Sequence, residues 1–541
     1  MFQAQGIQGV ELVFLLLLLF VVVFAVLAQK LKTPYPIVLV IGGLLLGFVP
    51  AIPKVALNPD LVFLVVLPPL LYYGAWKTSW RDFKYNLVSI LLLAFGLVGF
   101  TVWGVAETAR WTFTGFDWRL GFVLGAVVST TDAIAATAIA KRVGLPQRIV
   151  DVLEGESLVN DASGLLALEF GIAMVWNGST PTVAAGFHRL VYLIFVGLLI
   201  GLVVGIVVEW FEHRIDDGPI EIVISILVPY ATYLGANAAR SSGVLAVIAC
   251  GLYLSRRSSQ FFSPTVRLQG AAVWESLTFI LNGLVFVLIG LQLPYVLAGI
   301  RDYNLRHLIF YGLFFSVIVI VLRLLWVYPG AYLAYAIRRR FFGQNEANPS
   351  GRSLFVLGWA GMRGVIALAA AISLPEVLQD GSAFPHRNLI VFMTFCVILV
   401  TLVLQGLTLP PLIRALGLSG MGGNPQEEQD ARREILETAL AWIEDSQTGE
   451  QKLDVAIYKE LKRNYTARLD SLHVQGADES EEIHREHVTS RQNRIAAMRD
   501  VLRVERETAV RLRNEGKISD EVMRQIEYEL DLGDAKLSTV R

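Results

Sequence analysis

Charge is scarce in this chain. Only 17% of its 541 residues are Asp, Glu, Lys or Arg, whereas a soluble domain carries about 25%. With 54% hydrophobic residues and a mean hydropathy of +0.55, that deficit excludes a wholly water-exposed protein and puts most of the chain in a membrane. The net charge is -1, so no general excess of basic residues offers a surface to nucleic acid. Cysteine is almost absent. Cys250 and Cys396 both fall within apolar runs, which excludes a disulfide framework and leaves core packing. No Walker sequence occurs, which argues against ATP-driven pumping, and no cofactor is expected. The N-terminal "MFQAQGIQGVELVFLLLLLFVVVFAVLAQK" has no Lys or Arg ahead of its apolar run and no small-x-small cleavage site straight after it. It reads as a retained first span rather than a signal peptide.

What is present is a series of long apolar runs. A helical span needs roughly 20 mostly apolar residues, and thirteen candidates occur, near 9–29, 34–51, 58–76, 86–108, 119–142, 148–176, 187–211, 219–239, 242–255, 271–293, 307–337, 352–375 and 388–416. An odd number puts the two ends of the membrane part on opposite faces. With the N-terminus outside, the cytoplasmic loops hold sixteen Lys and Arg, among them Lys77, Lys141, Arg142 and Arg338, against eight in the outer loops, as the positive-inside rule requires. After Gly417 the composition turns polar, with helical periodicity in "ARREILETALAWIEDS". Two domains are therefore expected: 1–417 in the membrane, and 418–541 as a soluble, helical, cytoplasmic tail joined by "GMGGNPQEEQ", its partner unspecified.

Polar residues interrupt several spans. The fifth contains "VVSTTDAIAATAIA", with Thr131 and Asp132 among small residues, and the twelfth contains "GWAGMRGVIALAAA", with Gly358, Gly361 and Gly364 around Arg363. Both read as helices that unwind at the bilayer middle. Such breaks are tolerated only where protein or water covers them, and transporters use them as ion sites. Taking spans 1–6 and 8–13 as two halves, each broken helix is fifth in its half, so the expected fold is all-α with two inverted six-helix repeats linked by span 7.

The sixth span carries "GESLVNDASGLL", residues 155–166. On a helix Glu154, Ser157 and Asp161 share one face, while Glu156 and Asn160 share the adjacent one. A charged side chain at the bilayer centre costs about 2.5–3.5 kcal/mol, so this wedge must face the interior. Arg363 is the basic residue proposed to neutralise Glu156 as a structural brace. Asp161 then lacks a basic partner. A carboxylate in that position holds either a proton or a small hard cation, with Ser157 and carbonyls near Thr131 as further oxygen ligands, and Asp132 capping a half-helix or holding a water on the ion. One site that takes either species, never both, and faces each side in turn gives exchange. The structural alternative has Asp161 satisfied by Thr130 or Thr131. Glu275 and Arg323 also lie within spans and read as structural or gating residues.

"LPPLLYYGAW", "STTDAIA", "GESLVNDASGLL" and "GWAGMRGVIALAAA" occur in that order, and with them the chain resembles the monovalent cation/proton antiporters, in the NhaP and sodium/proton exchanger branch. The resemblance spans about residues 9–416. It implies a homodimer in the cell membrane, a dimerisation part and a moving core part, and a role in pH homeostasis. It assigns the carrier role to Asp161, ligand roles to Ser157, Thr131 and Asp132, and the brace to Glu156 and Arg363. Asn160 in place of a second Asp implies electroneutral exchange. One departure is Tyr73, which stands where several members carry an acid, so the choice among sodium, lithium and potassium stays open. A potassium/proton antiporter, a cation channel and a membrane sensor are the competing readings. A channel needs a continuous ring-lined pore, which one asymmetric wedge does not supply, and the tail shows no signalling motif.

Overall fold

In lipid every backbone N–H and C=O must find its partner within the protein, and a helix does this within one segment. The computed structural model accordingly folds into helices. It describes residues 7–50, 57–113, 115–177, 182–215, 217–300, 304–343, 350–378, 381–420, 425–446, 455–473 and parts of 498–533. Among these, extended pairing is limited to an isolated bridge between Val377 and Ala383.

The membrane unit comprises α1 (Ile7–Leu31), α2 (Tyr35–Gly47), α3 (Pro59–Lys77), α4 (Trp80–Thr112), α5 (Trp118–Ser129), α6 (Ala133–Val143), α7 (Gln147–Asn177), α8 (Val183–Glu212), α9 (Gly218–Ala238), α10 (Gly243–Phe261), α11 (Pro264–Leu291), α12 (Leu305–Phe342), α13 (Gly351–Trp359), α14 (Val365–Ile372) and α15 (Arg387–Ala415). Ten helical segments among the described residues are long and apolar enough to cross a membrane, α5 and α6 together forming one of them. The other three expected spans fall on α2, which is 13 residues long, on α10, and on the short pair α13 and α14. The outer surface of α1, α8 and α12 is apolar: Leu15, Phe187, Phe195, Phe310 and Leu325 are all exposed, as suits a lipid-facing wall. Glu275 is also exposed, so its charge is not in the interior.

Both expected breaks occur. The fifth span stops at Ser129 and resumes at Ala133. The twelfth stops at Trp359 and resumes at Val365. The β-favouring Thr pair and the Gly-rich "AGMRG" supply weak helix formers at these points. The two extended segments cross, and Asp132 N donates to Met362 O at 2.8 Å.

Buried apolar side chains fall into two groups. One includes Val123, Leu124, Leu368 and Phe395; the other includes Leu67, Tyr72, Val247 and Trp274. Helix α7 contributes to both, through Val152 and Leu153 to the first and Leu158, Val159 and Ala162 to the second. The helix that carries Asp161 thus lies on the seam between them. Close helix approach elsewhere depends on small residues, as is usual where lipid removes the hydrophobic drive for association. Where α2 meets α11, a Cβ on Gly290 would sit 2.3 Å from Val40 O, and one on Gly43 would sit 2.3 Å from Val287 O.

Residues Asn424–Arg541 form a separate compact unit. It contains α16 (Pro425–Asp445) and α17 (Val455–His473), which pack together with Lys462 Nζ 2.7 Å from Glu444. Part of the expected linker, residues 421–424, lies outside the described residues.

Because backbone carbonyls, not flexible side chains, face Gly290, Gly290→Val is expected to destabilise the membrane unit by about 1–3 kcal/mol, the usual penalty for overpacking. Thermal melting of the detergent-purified protein checks this; a wild-type melting temperature would contradict the tight α2–α11 contact.

Candidate functional site

Four helix ends meet at the crossing, and each carries unsatisfied backbone groups with a partial charge. The carbonyl end of α5 receives Arg363, whose Nε donates to Val128 O at 2.7 Å while its Nη1 donates to Gly361 O at 2.7 Å. The carbonyl end of α13 receives Arg323, whose Nε donates to Gly358 O at 3.1 Å and whose Nη2 donates to Leu357 O at 3.2 Å. At the opposite pole Asp132 is the N-cap of α6 and accepts from Ile134 N at 2.8 Å. Its carboxylate also lies against the start of α14, where a Cβ on Gly364 would come within 2.3 Å of Asp132 Oδ2. Cations at the carbonyl ends and an anion at the amide ends are the arrangement the dipoles favour. Thr401 Oγ1, in a π-helical turn of α15, accepts from Arg363 N at 3.2 Å and fixes the second break.

The brace differs from the expectation. Glu156 is clasped by Arg323, not Arg363: Arg323 Nη1 donates to Glu156 Oε1, and Nη2 donates to Oε2 at 2.7 Å, with both residues almost fully buried. Arg363 stays within electrostatic reach of Glu156 but directs Nε and Nη1 to carbonyls, and its buried Nη2 has no hydrogen-bond partner among the described residues. The physical reason is position. Arg363 lies in the unwound segment among bare carbonyls, whereas Arg323 projects from an intact helix and presents its fork to a carboxylate. The sequence did offer a clue in "VIVIVLRLLWVYP", where a lone Arg in an apolar run demands an acid on another helix. Thr131 Oγ1 extends the cluster, donating to Glu156 Oε1 at 3.0 Å and accepting from Asn160 Nδ2. Asn160 Nδ2 also reaches Thr131 O at 3.3 Å.

On the other face of α7 lies a cavity of about 340 Å³. Glu154, Ser157 and Asp161 all line it, together with Thr131, Asp132, Thr278, Asn282 and Tyr73. Lys77 and the exposed pair Lys141–Glu154, 2.7 Å apart, line its outer part. Asp161 is buried, and among the described residues it makes no hydrogen bond and no ion pair; Asp132 lines the same cavity. Neither Thr130 nor Thr131 satisfies it. Ser157 Oγ accepts from Ala133 N at 3.2 Å, which leaves its own proton and second lone pair free toward the cavity. The Thr131 hydroxyl is committed to Glu156 and Asn160, so its carbonyl is the atom it can offer an ion. Asn160 Oδ1 is buried with no partner among the described residues. Tyr73 stacks on Trp274 at 5.7 Å, with Lys77 Nζ 4.6 Å from its ring centroid. Aromatic wall therefore replaces any second acid there. Thr278 and Asn282 of α11 were not singled out from sequence because one Thr and one Asn in an apolar span are unremarkable until the fold turns them inward.

A family model described as the sodium/hydrogen exchanger, transmembrane, matches residues 15–415. The chain belongs to the sodium/hydrogen exchanger family. It is 33% identical over 522 residues to an uncharacterized Na+/H+ exchanger of Mycobacterium tuberculosis, covering 96% of this chain and 94% of that one. It is 34% identical over 430 residues to a sodium, potassium, lithium and rubidium/H+ antiporter of Bacillus pumilus, covering 77% and 63%. Among solved structures it is similar to the sodium proton antiporter MjNhaP1 of Methanocaldococcus jannaschii, with a TM-score of 0.60, 19% identity, and 76% and 98% of the two chains covered. At that identity the likeness concerns the fold alone. This exchanger is thus an all-helical, multi-pass membrane protein.

If Glu156 and Arg323 form the buried pair, removing either partner alone leaves an uncompensated charge and is expected to destabilise by about 3–5 kcal/mol. Glu156→Gln and Arg323→Met should each lower the melting temperature sharply, and the double variant should lose far less than the sum. Strict additivity in that cycle would exclude the pair. Arg363→Met, which shares no hydrogen bond with Glu156, should couple to Glu156→Gln far more weakly than Arg323→Met does.

Proposed function

We propose that this exchanger is a secondary-active sodium/proton antiporter of the cell membrane, and that Asp161 binds either a proton or the transported cation. One observation carries the reading: the Asp161 carboxylate lines a cavity, buried, with no basic partner among the described residues. A group so placed must be neutralised by something that can leave again, which a fixed Arg or Lys cannot do. Asp161, Ser157 and the Thr131 carbonyl would supply oxygen ligands to a hard monovalent cation, with Asp132 and the Asn160 carbonyl oxygen within the same polar cluster. Glu156 and Arg363 brace the site in this reading, each through the partners described above.

The architecture proposed for it has thirteen spans in two inverted six-helix repeats, an outer N-terminus and a cytoplasmic C-terminus, in a homodimer. The exchange proposed is one proton for one cation, hence electroneutral and suited to pH homeostasis, because Asn160 adds no second carboxylate. The tail, 418–541, is a separate cytoplasmic domain. The cavity would then represent an inward-facing state, since Lys77 and Lys141 mark its open part.

Potassium is the second reading. It is favoured by Tyr73, which leaves the cavity one acid short, and by the similar Bacillus protein, whose name includes sodium, potassium, lithium and rubidium.

Two outcomes are expected in proteoliposomes carrying a pH gradient. Asp161→Asn should reduce cation-driven gradient dissipation to the level of empty liposomes while the protein still melts cooperatively; retained exchange would remove Asp161 from the mechanism. In the wild type, proton and cation compete for one carboxylate, so lowering the pH below the site's titration range fills it with protons. The apparent KM for the cation should then rise by about tenfold per pH unit, the slope that one-proton linkage imposes. A pH-independent KM would refute competition. Adding sodium, lithium and potassium in turn separates the two readings.

A further inference from the structure

A second cavity, of about 150 Å³, lies farther along α7, beyond Asp161. Ala162, Leu165 and Glu169 line it from α7, Leu193 from α8, Asn237 from α9 and Val244 from α10. At 1.5 Å per helical residue, Glu169 stands about 12 Å past Asp161, and Glu154 about 10 Å before it. The two cavities therefore flank the carboxylate along the helix, the first toward Glu154 and the second from Ala162 to Glu169. Leu165, which packs against both apolar groups, stands between Asp161 and Glu169.

An ion pair stands at each end of this stretch. Lys141–Glu154 lies at the mouth of the first cavity. At the second, Arg189 of α8 donates from Nη2 to Glu169 Oε1 at 2.9 Å and from Nη1 to Arg240 O at 3.0 Å. Nearly one turn on, Tyr192 donates its hydroxyl to Ala239 O at 3.0 Å, so α8 is tied to the end of α9 at two points. Helix α8 packs against α9 and α10 and barely touches α7. Arg189 thus reaches Glu169 across a gap, and their parting would uncover little apolar surface. Their side chains are 34% and 53% exposed, and a pair so wetted is weak enough to open reversibly. The volume exceeds the roughly 30 Å³ of a water molecule several times over, and Asn237 and Ser242 offer water polar partners.

We propose that this second cavity is the access path to Asp161 from the outer face, and that the Arg189–Glu169 pair is the latch that holds it closed in this conformation. The proposal rests on the carrier role read above for Asp161, since a carrier that exchanges two ions must be reached from both faces. With the pair closed, α7 is fastened to the α8–α9 end and Leu165 fills the space between Glu169 and Asp161. With the pair parted, Arg189 keeps its hold on the Arg240 carbonyl, and α7 is free to move off α8. Losing one exposed pair shifts the balance between closed and open forms by up to about fivefold.

The test reads access, independent of transport. In the full-length protein with Cys250→Ala and Cys396→Ala, Ala162→Cys places a thiol at the inner end of the cavity. A membrane-impermeant methanethiosulfonate, applied to intact cells, then reports its exposure to the outer face. The thiol should react slowly, and Glu169→Ala should raise the rate about two- to fivefold, as should Arg189→Met. The double variant should react no faster than either single one, because both remove the same pair. Leu166→Cys, also in the cavity wall, covers the case in which Ala162→Cys fails to fold. No reaction at either cysteine with the pair removed overturns the access path. Rates unchanged by Glu169→Ala and Arg189→Met, or rises that multiply in the double variant, overturn the latch. The carrier role fails separately: exchange retained by Asp161→Asn would remove it and leave the labelling rates as they are.

Discussion

Two helices that break where they cross leave four bare ends, and their compensation is the constraint on which the rest of this structure depends. Each end carries about half an elementary charge in a medium that cannot screen it. Arg363 and Arg323 answer the carbonyl ends of α5 and α13, and Asp132 lies at the amide ends of α6 and α14. Remove any of these and the unwound segments would expose groups that lipid cannot satisfy.

The division of labour on α7 follows from that constraint. Arg323 is needed at α13, and its remaining donors reach Glu156, which in turn accepts from Thr131 at the first break. One face of α7 is thereby fastened to both broken helices. The adjacent face, with Ser157 and Asp161, is left to the cavity. One side of α7 is thus fastened by hydrogen bonds and an ion pair, while Asp161 makes no ion pair among the described residues. The small-residue contact between α2 and α11 and the position of α7 between two apolar groups keep that arrangement in register.

Much of this was legible in the sequence because it follows from local chemistry. Apolar run length marks helices whatever they pack against, and weak helix formers at Thr130–Thr131 and around Gly361 mark the breaks. The 3.6-residue period alone separates the face of Glu154, Ser157 and Asp161 from that of Glu156 and Asn160. The partner of Glu156 was not legible, because Arg323 and Arg363 are both lone basic residues in apolar surroundings and only helix packing decides which reaches the acid. Nor were Thr278 and Asn282, or the second cavity, since Glu169, Arg189 and Asn237 stand in different spans and look like ordinary residues near span ends.

The sequence by itself determined that this is a helical membrane protein, that the helices around Thr131 and Gly361 break, and that Asp161 lies on a different face of its helix from Glu156. These depend on composition and periodicity, which are properties of short segments. Only the tertiary structure decided which arginine holds Glu156, that Asp161 faces a cavity that Asp132 also lines, and that Arg189 reaches Glu169 at a second one. Those are distances between segments far apart in the chain, and no local propensity encodes them.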